Sequence, residues 1–235
     1  MTALASGTLE VGCGWYDGSF PSLSSSSAKS TRSADEASSA TAMMVEASKV
    51  GQPFPFGAPI PAWLPGSDAS GEPVAGVIDW EVLRREAPNG LVVAFLSTAC
   101  PVVEEYEERL SDLVAQWSNR GVRLVALSVN AIPGDRFEAL KDRIRDSGKY
   151  TYPYGHDQPG GLADALGVTA TPCVVVIDRD GVIRYRGAFD DDFKPLKVKR
   201  SYVADALTAL AQGRAPNPSW VRERGTPRLG PRMED

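Results

Sequence analysis

Three short stretches limit the folds open to this chain. LVVAFL (91–96), VRLVALSV (122–129) and CVVVI (173–177) are apolar runs with almost no polar alternation. A strand exposed on one face alternates, whereas runs like these need cover on both faces. Between and after them the apolar period changes. Val103, Tyr106, Leu110, Leu113, Val114 and Trp117 recur three and four residues apart, which predicts an amphipathic helix over 101–118 closed by Gly121. Phe137, Leu140 and Ile144 predict a second helix over 135–147, entered through Pro133 and Gly134. GGLADALGV reads as a short helix ending at Gly167, and YTYPY as a short strand. DRDG (178–181) is a hairpin turn leading into an antiparallel strand, VIRYRG (182–187). SYVADALTALAQ (201–212) is a final helix capped by its serine. Strand–helix–strand units build a parallel sheet with helices on both faces, and the terminal hairpin adds an antiparallel edge.

The flanks differ in composition. Residues 1–50, with SLSSSSAKSTRSADEASSATA at their centre, carry too few large apolar groups to offset the entropy of ordering and are expected to be disordered. Met43 and Met44 introduce a stretch that resembles a natural protein start. Residues 51–73 are rich in Pro and Gly and read as an extended lead-in ending in a turn. The domain is expected over 51–214, with 215–235 a flexible, Pro- and Arg-rich tail. A net charge of −5 without a basic stripe argues against nucleic acid as a partner. No apolar run is long enough to cross a bilayer, and no secretory signal pattern is visible, so a cytoplasmic setting is expected. LEVGC around Cys13 lacks the apolar stretch that a lipoprotein signal requires.

The cysteines are few: Cys13, Cys100 and Cys173, with His156 the single histidine. That excludes a disulfide scaffold and a Cys/His metal cluster, so neither metal nor cofactor is expected. Cys100 lies between an apolar strand and an acidic helix, with Pro101 behind it at the first helical position. The unpaired N–H groups of a helix N-terminus stabilise a thiolate, the form that attacks disulfides and peroxides. Glu104, Glu105, Glu107 and Glu108 oppose this, but they begin a turn away and are expected in solvent.

The element order, the cysteine at the first main helix and the stretch VTATPCVVVIDRDGVIRYRG together resemble the thioredoxin-like fold, a three-layer α/β/α sandwich with a mixed sheet and a C-terminal antiparallel hairpin. More narrowly, residues 55–214 resemble redoxins of the alkyl hydroperoxide reductase/thiol-specific antioxidant superfamily, in the peroxiredoxin-like branch whose active stretch reads Cys-Pro-x-Val, here Cys100-Pro101-Val102-Val103. The resemblance implies an antioxidant-type, thiol-dependent oxidoreductase or peroxidase with Cys100 as the redox-active nucleophile. It implies a cis-proline at Pro172 beside that cysteine, preceded by Thr171, whose backbone can pair with an extended peptide. Ser97 fits the hydroxyl position of peroxiredoxins, but Val93 replaces their proline. Val103 stands where dithiol thioredoxins carry a resolving cysteine, and Ala94 where they carry a buried carboxylate. The tail has no cysteine. The substrate is then a disulfide or a hydroperoxide, and the reductant an external thiol.

Two alternatives stay open. Cys173 follows Pro172 directly and is either a second thiol for Cys100 or a core residue. The whole domain is either an enzyme or a redox-inactive module that binds extended peptides beside Pro172. His156 and Asp157 are read as a turn away from the active end. Arg184 and Arg186 are read as solvated residues of an edge strand, and Tyr106, Trp117 and Trp63 as packing.

Overall fold

The computed structural model describes residues 49–66, 71–159 and 161–229, all within one compact unit. Of the stretch expected to be disordered, 1–48 lie outside the described residues, as does Cys13. Lys49 and Val50 already form a turn, and Val50 packs against the core.

The Pro/Gly-rich lead-in is more structured than its composition suggests. It forms β1 (Ile60–Leu64), which pairs antiparallel with β2 (Val74–Ile78). A short helix follows, α1 (Trp80–Glu86), which the apolar spacing did not reveal. Its start is set by Asp79, whose Oδ1 accepts from the N–H groups of Glu81 at 2.9 Å and Val82 at 3.1 Å. The next elements follow the sequence closely: β3 (Gly90–Leu96), α2 (Pro101–Trp117), β4 (Val122–Ser128), α3 (Phe137–Ser147), β5 (Tyr154–His156) and α4 (Leu162–Leu166). Then come β6 (Ala170–Thr171), β7 (Cys173–Ile177), β8 (Ile183–Gly187), α5 (Tyr202–Ala211), β9 (Trp220–Val221) and β10 (Thr226–Pro227).

Eight strands form one mixed sheet in the order β2-β1-β5-β4-β3-β7-β8-β9. β3, β4 and β5 run parallel, β7 lies antiparallel to β3, and β8 antiparallel to β7. The apolar runs are continuous because alternate residues feed two cores. Val92, Ala94 and Leu96 face a core covered by α2, α3 and α5, while Leu91, Val93 and Phe95 face a second core covered by α1 and α4. This is a three-layer α/β/α arrangement.

Two expectations are corrected. β8 is not an edge strand, because β9 pairs with it in parallel at Arg186↔Trp220 and Gly187↔Val221. The tail from 215 is not loose over its described part. β9 extends the sheet, and β10 forms a separate antiparallel ladder with β6. The physical reason is backbone hydrogen bonding, which needs little apolar surface and leaves a weak trace in composition.

Candidate functional site

The site is built where β3 stops. Cys100 is the N-cap of α2, with φ −94° and ψ 108°, and Pro101 takes the first helical position, where a missing N–H costs nothing. The Cys100 side chain makes no capping bond to the helix. Its Sγ instead donates to the carbonyl oxygen of Thr171, 3.2 Å away. The thiol is therefore turned from the helix donors toward β6. It is 1% exposed.

Thr171 brings the second half of the site. Its peptide bond to Pro172 is cis, and it lies on β6, immediately before β7, which runs beside β3. The Thr171 hydroxyl is buried without a hydrogen-bond partner among the described residues.

The loop that delivers Cys100 is tied at several points. Ser97 is fully buried. Its Oγ accepts from the Ala99 N–H at 3.1 Å and from the Asn130 Nδ2 at 2.6 Å, and its carbonyl accepts from the Cys100 N–H at 3.1 Å. Asp135 anchors the same loop from the other side. Its Oδ1 accepts from the backbone N–H and the hydroxyl of Thr98, both at 2.6 Å, and its Oδ2 from the Asn130 N–H at 3.2 Å. Asn130 and Asp135 were not singled out in the sequence. The only available signal was their position just after an apolar strand, where loops of a parallel sheet converge on one end.

That convergence also corrects the reading of His156. Leu96, Ser128 and His156 are aligned across β3, β4 and β5, so His156 lies at the same end of the sheet as the cysteine loop. Its Nδ1 is 3.0 Å from Ser128 Oγ, which donates to the Asp135 carbonyl at 2.5 Å. Asp157 is a helix-capping residue: its carboxylate accepts from the Leu162 and Ala163 N–H groups at 2.9 and 2.7 Å.

Cys173 is in sequence contact with the site but not in side-chain contact with its core. It belongs to the core of Val93, Phe95 and Val175, whereas Cys100 packs in the other. Both thiols are free. Burial pushes the Cys173 thiol well up, and the Glu223 charge adds to this.

Arg186 was expected in solvent and is instead 0% exposed. Its Nη2 donates to Glu223 Oε1 at 2.8 Å and to the Gly167 carbonyl at 2.7 Å, while Glu223 Oε2 accepts from Thr169 Oγ1 at 2.7 Å. A buried guanidinium needs such a partner, and the partner comes from the tail. Arg184 does reach the surface, where it pairs with Asp178 at 2.5 Å. The expectation of solvent is overturned for Glu107, which is buried against Arg143 and Tyr150. Trp63 stacks on Phe137, and Tyr106 donates to Asp190 Oδ1 at 2.8 Å, so both are packing residues.

The tail completes the site. Thr226 pairs with Thr171 and Pro227 with Ala170. The Arg228 N–H donates to the Thr169 carbonyl at 2.8 Å, and the Leu229 N–H to Asn130 Oδ1 at 2.8 Å. Gly225, at φ 157°, passes so close to Thr171 that a Cβ would overlap the Thr171 carbonyl oxygen. No cluster of side chains suited to a metal ion occurs among the described residues.

Residues 79–186 match the family model described as the AhpC/TSA family. A thiol:disulfide interchange protein, DsbE, of Yersinia pestis is 32% identical over 57% of this chain and 65% of its own length. The chain thus spans just under two thirds of that relative. A crystal structure of an uncharacterised conserved protein from Geobacillus kaustophilus is 25% identical, with a TM-score of 0.64 over 78% of this chain and 93% of that one. A thioredoxin-like protein solved in its oxidised form is 18% identical with a TM-score of 0.50, covering 71% of this chain and 99% of its own, a likeness of fold.

Proposed function

We propose that this protein, whose fold is thioredoxin-like and whose residues 79–186 match the AhpC/TSA family model, is a thiol–disulfide oxidoreductase with Cys100 as its nucleophile. One observation carries the reading. A thiol at a helix N-terminus stands 3.2 Å from the carbonyl of a residue that pairs with an extended strand. Thiol and peptide-docking edge therefore meet at one point. The likeness to a thiol:disulfide interchange protein supports the same chemistry.

The reaction runs in three exchanges. The Cys100 thiolate attacks one sulfur of a substrate disulfide, the substrate S–S bond breaks, and the other sulfur leaves as a thiolate that takes a proton from water. An external thiolate then attacks the mixed disulfide and releases the substrate as a dithiol. A second external thiol displaces the first and restores Cys100, so one disulfide is reduced as one forms on the reductant. Val103, three residues on, has no thiol to offer. Cys173 is directed into the opposite core, which favours an external resolving thiol.

Disulfides are favoured over hydroperoxides as substrates. Peroxide reduction calls for polar donors around the attacked oxygen. Ser97 Oγ is committed to Ala99 and Asn130, and Arg186 to Glu223 and Gly167. The sparse cysteines suit a reducing, cytoplasmic setting, which cell fractionation checks.

The test is Cys100→Ser, since serine also caps a helix and the fold should persist. Dithiothreitol-supported reduction of a peptide disulfide should fall at least 100-fold. Undiminished turnover in a folded variant overturns the assignment. A Cys100 that turns over no disulfide and that iodoacetamide does not label at alkaline pH even after prolonged incubation with a competing extended peptide favours the non-catalytic, peptide-binding alternative.

A further inference from the structure

The segment that lies along Thr169–Thr171, the stretch that receives the Cys100 thiol, is held almost entirely by backbone. β10 pairs antiparallel with β6, and the next two residues donate their N–H groups to Thr169 and Asn130. Ala131 N–H closes the set by donating to the Leu229 carbonyl at 3.3 Å. Upstream, β9 and Glu223 root the segment in the sheet through Arg186. The root is buried and charged; the rest is a five-residue segment, Gly225–Leu229, whose only strand is Thr226–Pro227. That segment also lies on the same Thr171 carbonyl that receives the Cys100 thiol.

We propose that Gly225–Leu229 is a strap that stands in for the substrate, and that the substrate is an extended polypeptide disulfide which displaces it. The proposal rests on the thiol reading above. An occupied edge shows what the edge accepts: a strand antiparallel to Ala170–Thr171, with a small residue crossing the Thr171 carbonyl. It also shows one side-chain preference. Arg228, two residues after the one paired with Thr171, forms an ion pair with Asp164. A substrate with Arg or Lys at that position inherits the contact. The strap leaves the Thr171 hydroxyl unsatisfied, so a peptide can bind the edge better than the strap does.

The strap competes as a tethered ligand, at an effective concentration on the order of millimolar for a short link. A peptide must beat that, and a small disulfide that makes no strand contacts gains nothing from doing so. Cys100 is 1% exposed, and on this proposal release of the strap is the step that opens the thiol to a disulfide.

The experiment uses the full chain and the double variant Arg228→Pro/Leu229→Pro, which removes both backbone donors and the Arg228 ion pair but keeps Glu223. The probe is a peptide of the strap's sequence from Arg224 to Leu229, with cysteine at the Arg224 position and the glycine kept, carried as a mixed disulfide with thionitrobenzoate. Attack by Cys100 forms the peptide–Cys100 disulfide and expels thionitrobenzoate, and peptide mass spectrometry separates Cys100 from Cys13. Capture should be at least tenfold faster in the double variant. There, the probe with Arg at the Arg228 position should be captured at least fivefold faster than one with Glu, and Asp164→Asn should abolish that preference. Equal capture by the two chains, with Cys100 reactive in both, overturns the strap while sparing the thiol reading. No reaction of Cys100 in either chain, even with Ellman's reagent, overturns both. Should the double variant fail to fold, hydrogen exchange on the unaltered chain decides. After peptide capture, 226–229 should lose protection while 220–223 keep it, and retained protection at 226–229 overturns the proposal.

Discussion

Cys100 and Cys173 have different fates because a strand sends neighbouring side chains to opposite faces. Val174 shares a core with Cys100, while Cys173 shares one with Val93 and Phe95. A bridge between the two thiols would need Cys173 to leave its core, which close packing resists. Cys173→Ala is therefore expected to keep at least half of dithiothreitol-supported turnover. The check is a steady-state assay together with mass spectrometry of the oxidised protein. A Cys100–Cys173 linked peptide in high yield would contradict the expectation. The residue-level reading of Arg186 failed for a related reason. Alternation of Arg with Ile and Tyr in IRYRG suggested one wet face, but Glu223 arrives from 37 residues away to cover it. No local pattern signals a partner at that distance.

At the scale of elements, the joint between β8 and the tail is the part most open to measurement. Arg186 and Glu223 form a buried ion pair with side chains 0% and 2% exposed. Removing one partner leaves the other charged and unpaired, at a cost of about 3–5 kcal/mol. Arg186→Met alone should destabilise the domain by about that amount. Arg186→Met with Glu223→Leu should recover much of it, because both charges leave together. Urea unfolding of the two single variants and the double variant gives the coupling, and additive losses would show that the pair does not act as a unit. Gly187 belongs to the same joint. At φ 131° it lies so near β9 that a Cβ would overlap the Val221 carbonyl oxygen. The glycine that ends RYRG is thus a contact residue for a strand more than thirty residues downstream. Helix α2 shows the opposite case. Its buried positions Val103, Tyr106, Leu110, Leu113 and Trp117 are those its own spacing predicts, because one helix face meets one sheet face.

For the molecule as a whole, buried acids set the alkaline limit. Burial raises Cys173 above the ordinary thiol value of 9.0, and it raises Tyr152 and Tyr154 above the ordinary phenol value of 10.0. Each group is neutral when protonated, and each holds its proton longer in the folded chain than in the unfolded one. Above the unfolded value the native state binds more protons, so stability falls as pH rises. The slope is about 1.4 kcal/mol per pH unit for each such group. Melting temperature should therefore decline from pH 9 upward and steepen beyond pH 10. Cys173→Ala should flatten the first part, between pH 9 and 10, and leave the tyrosine-driven part unchanged. Thermal melts across that range test this, and an unchanged slope between pH 9 and 10 in the variant would refute it.

What the chain specified locally was legible in its letters. The both-faces-buried strands, the period of α2, Pro101 after Cys100 and the Thr-Pro step before CVVVI each depend on neighbours within one or two turns. From the strands and the helix period the three layers follow, while the meeting of the helix start with Thr171 was implied by the family resemblance alone. Long-range pairing was not legible. β7 lies antiparallel beside β3, the tail covers β8 and β6, and Arg186, Asn130 and Glu223 become buried anchors only once those strands meet. Backbone hydrogen bonds are nearly the same for every residue, so a short strand that adds to an edge leaves little mark on sequence. Its position is decided by which donors and acceptors the folded sheet leaves open. The cysteine's place at a helix start was fixed by its local context, and the strand laid along Thr171 beside it was decided by the tertiary fold.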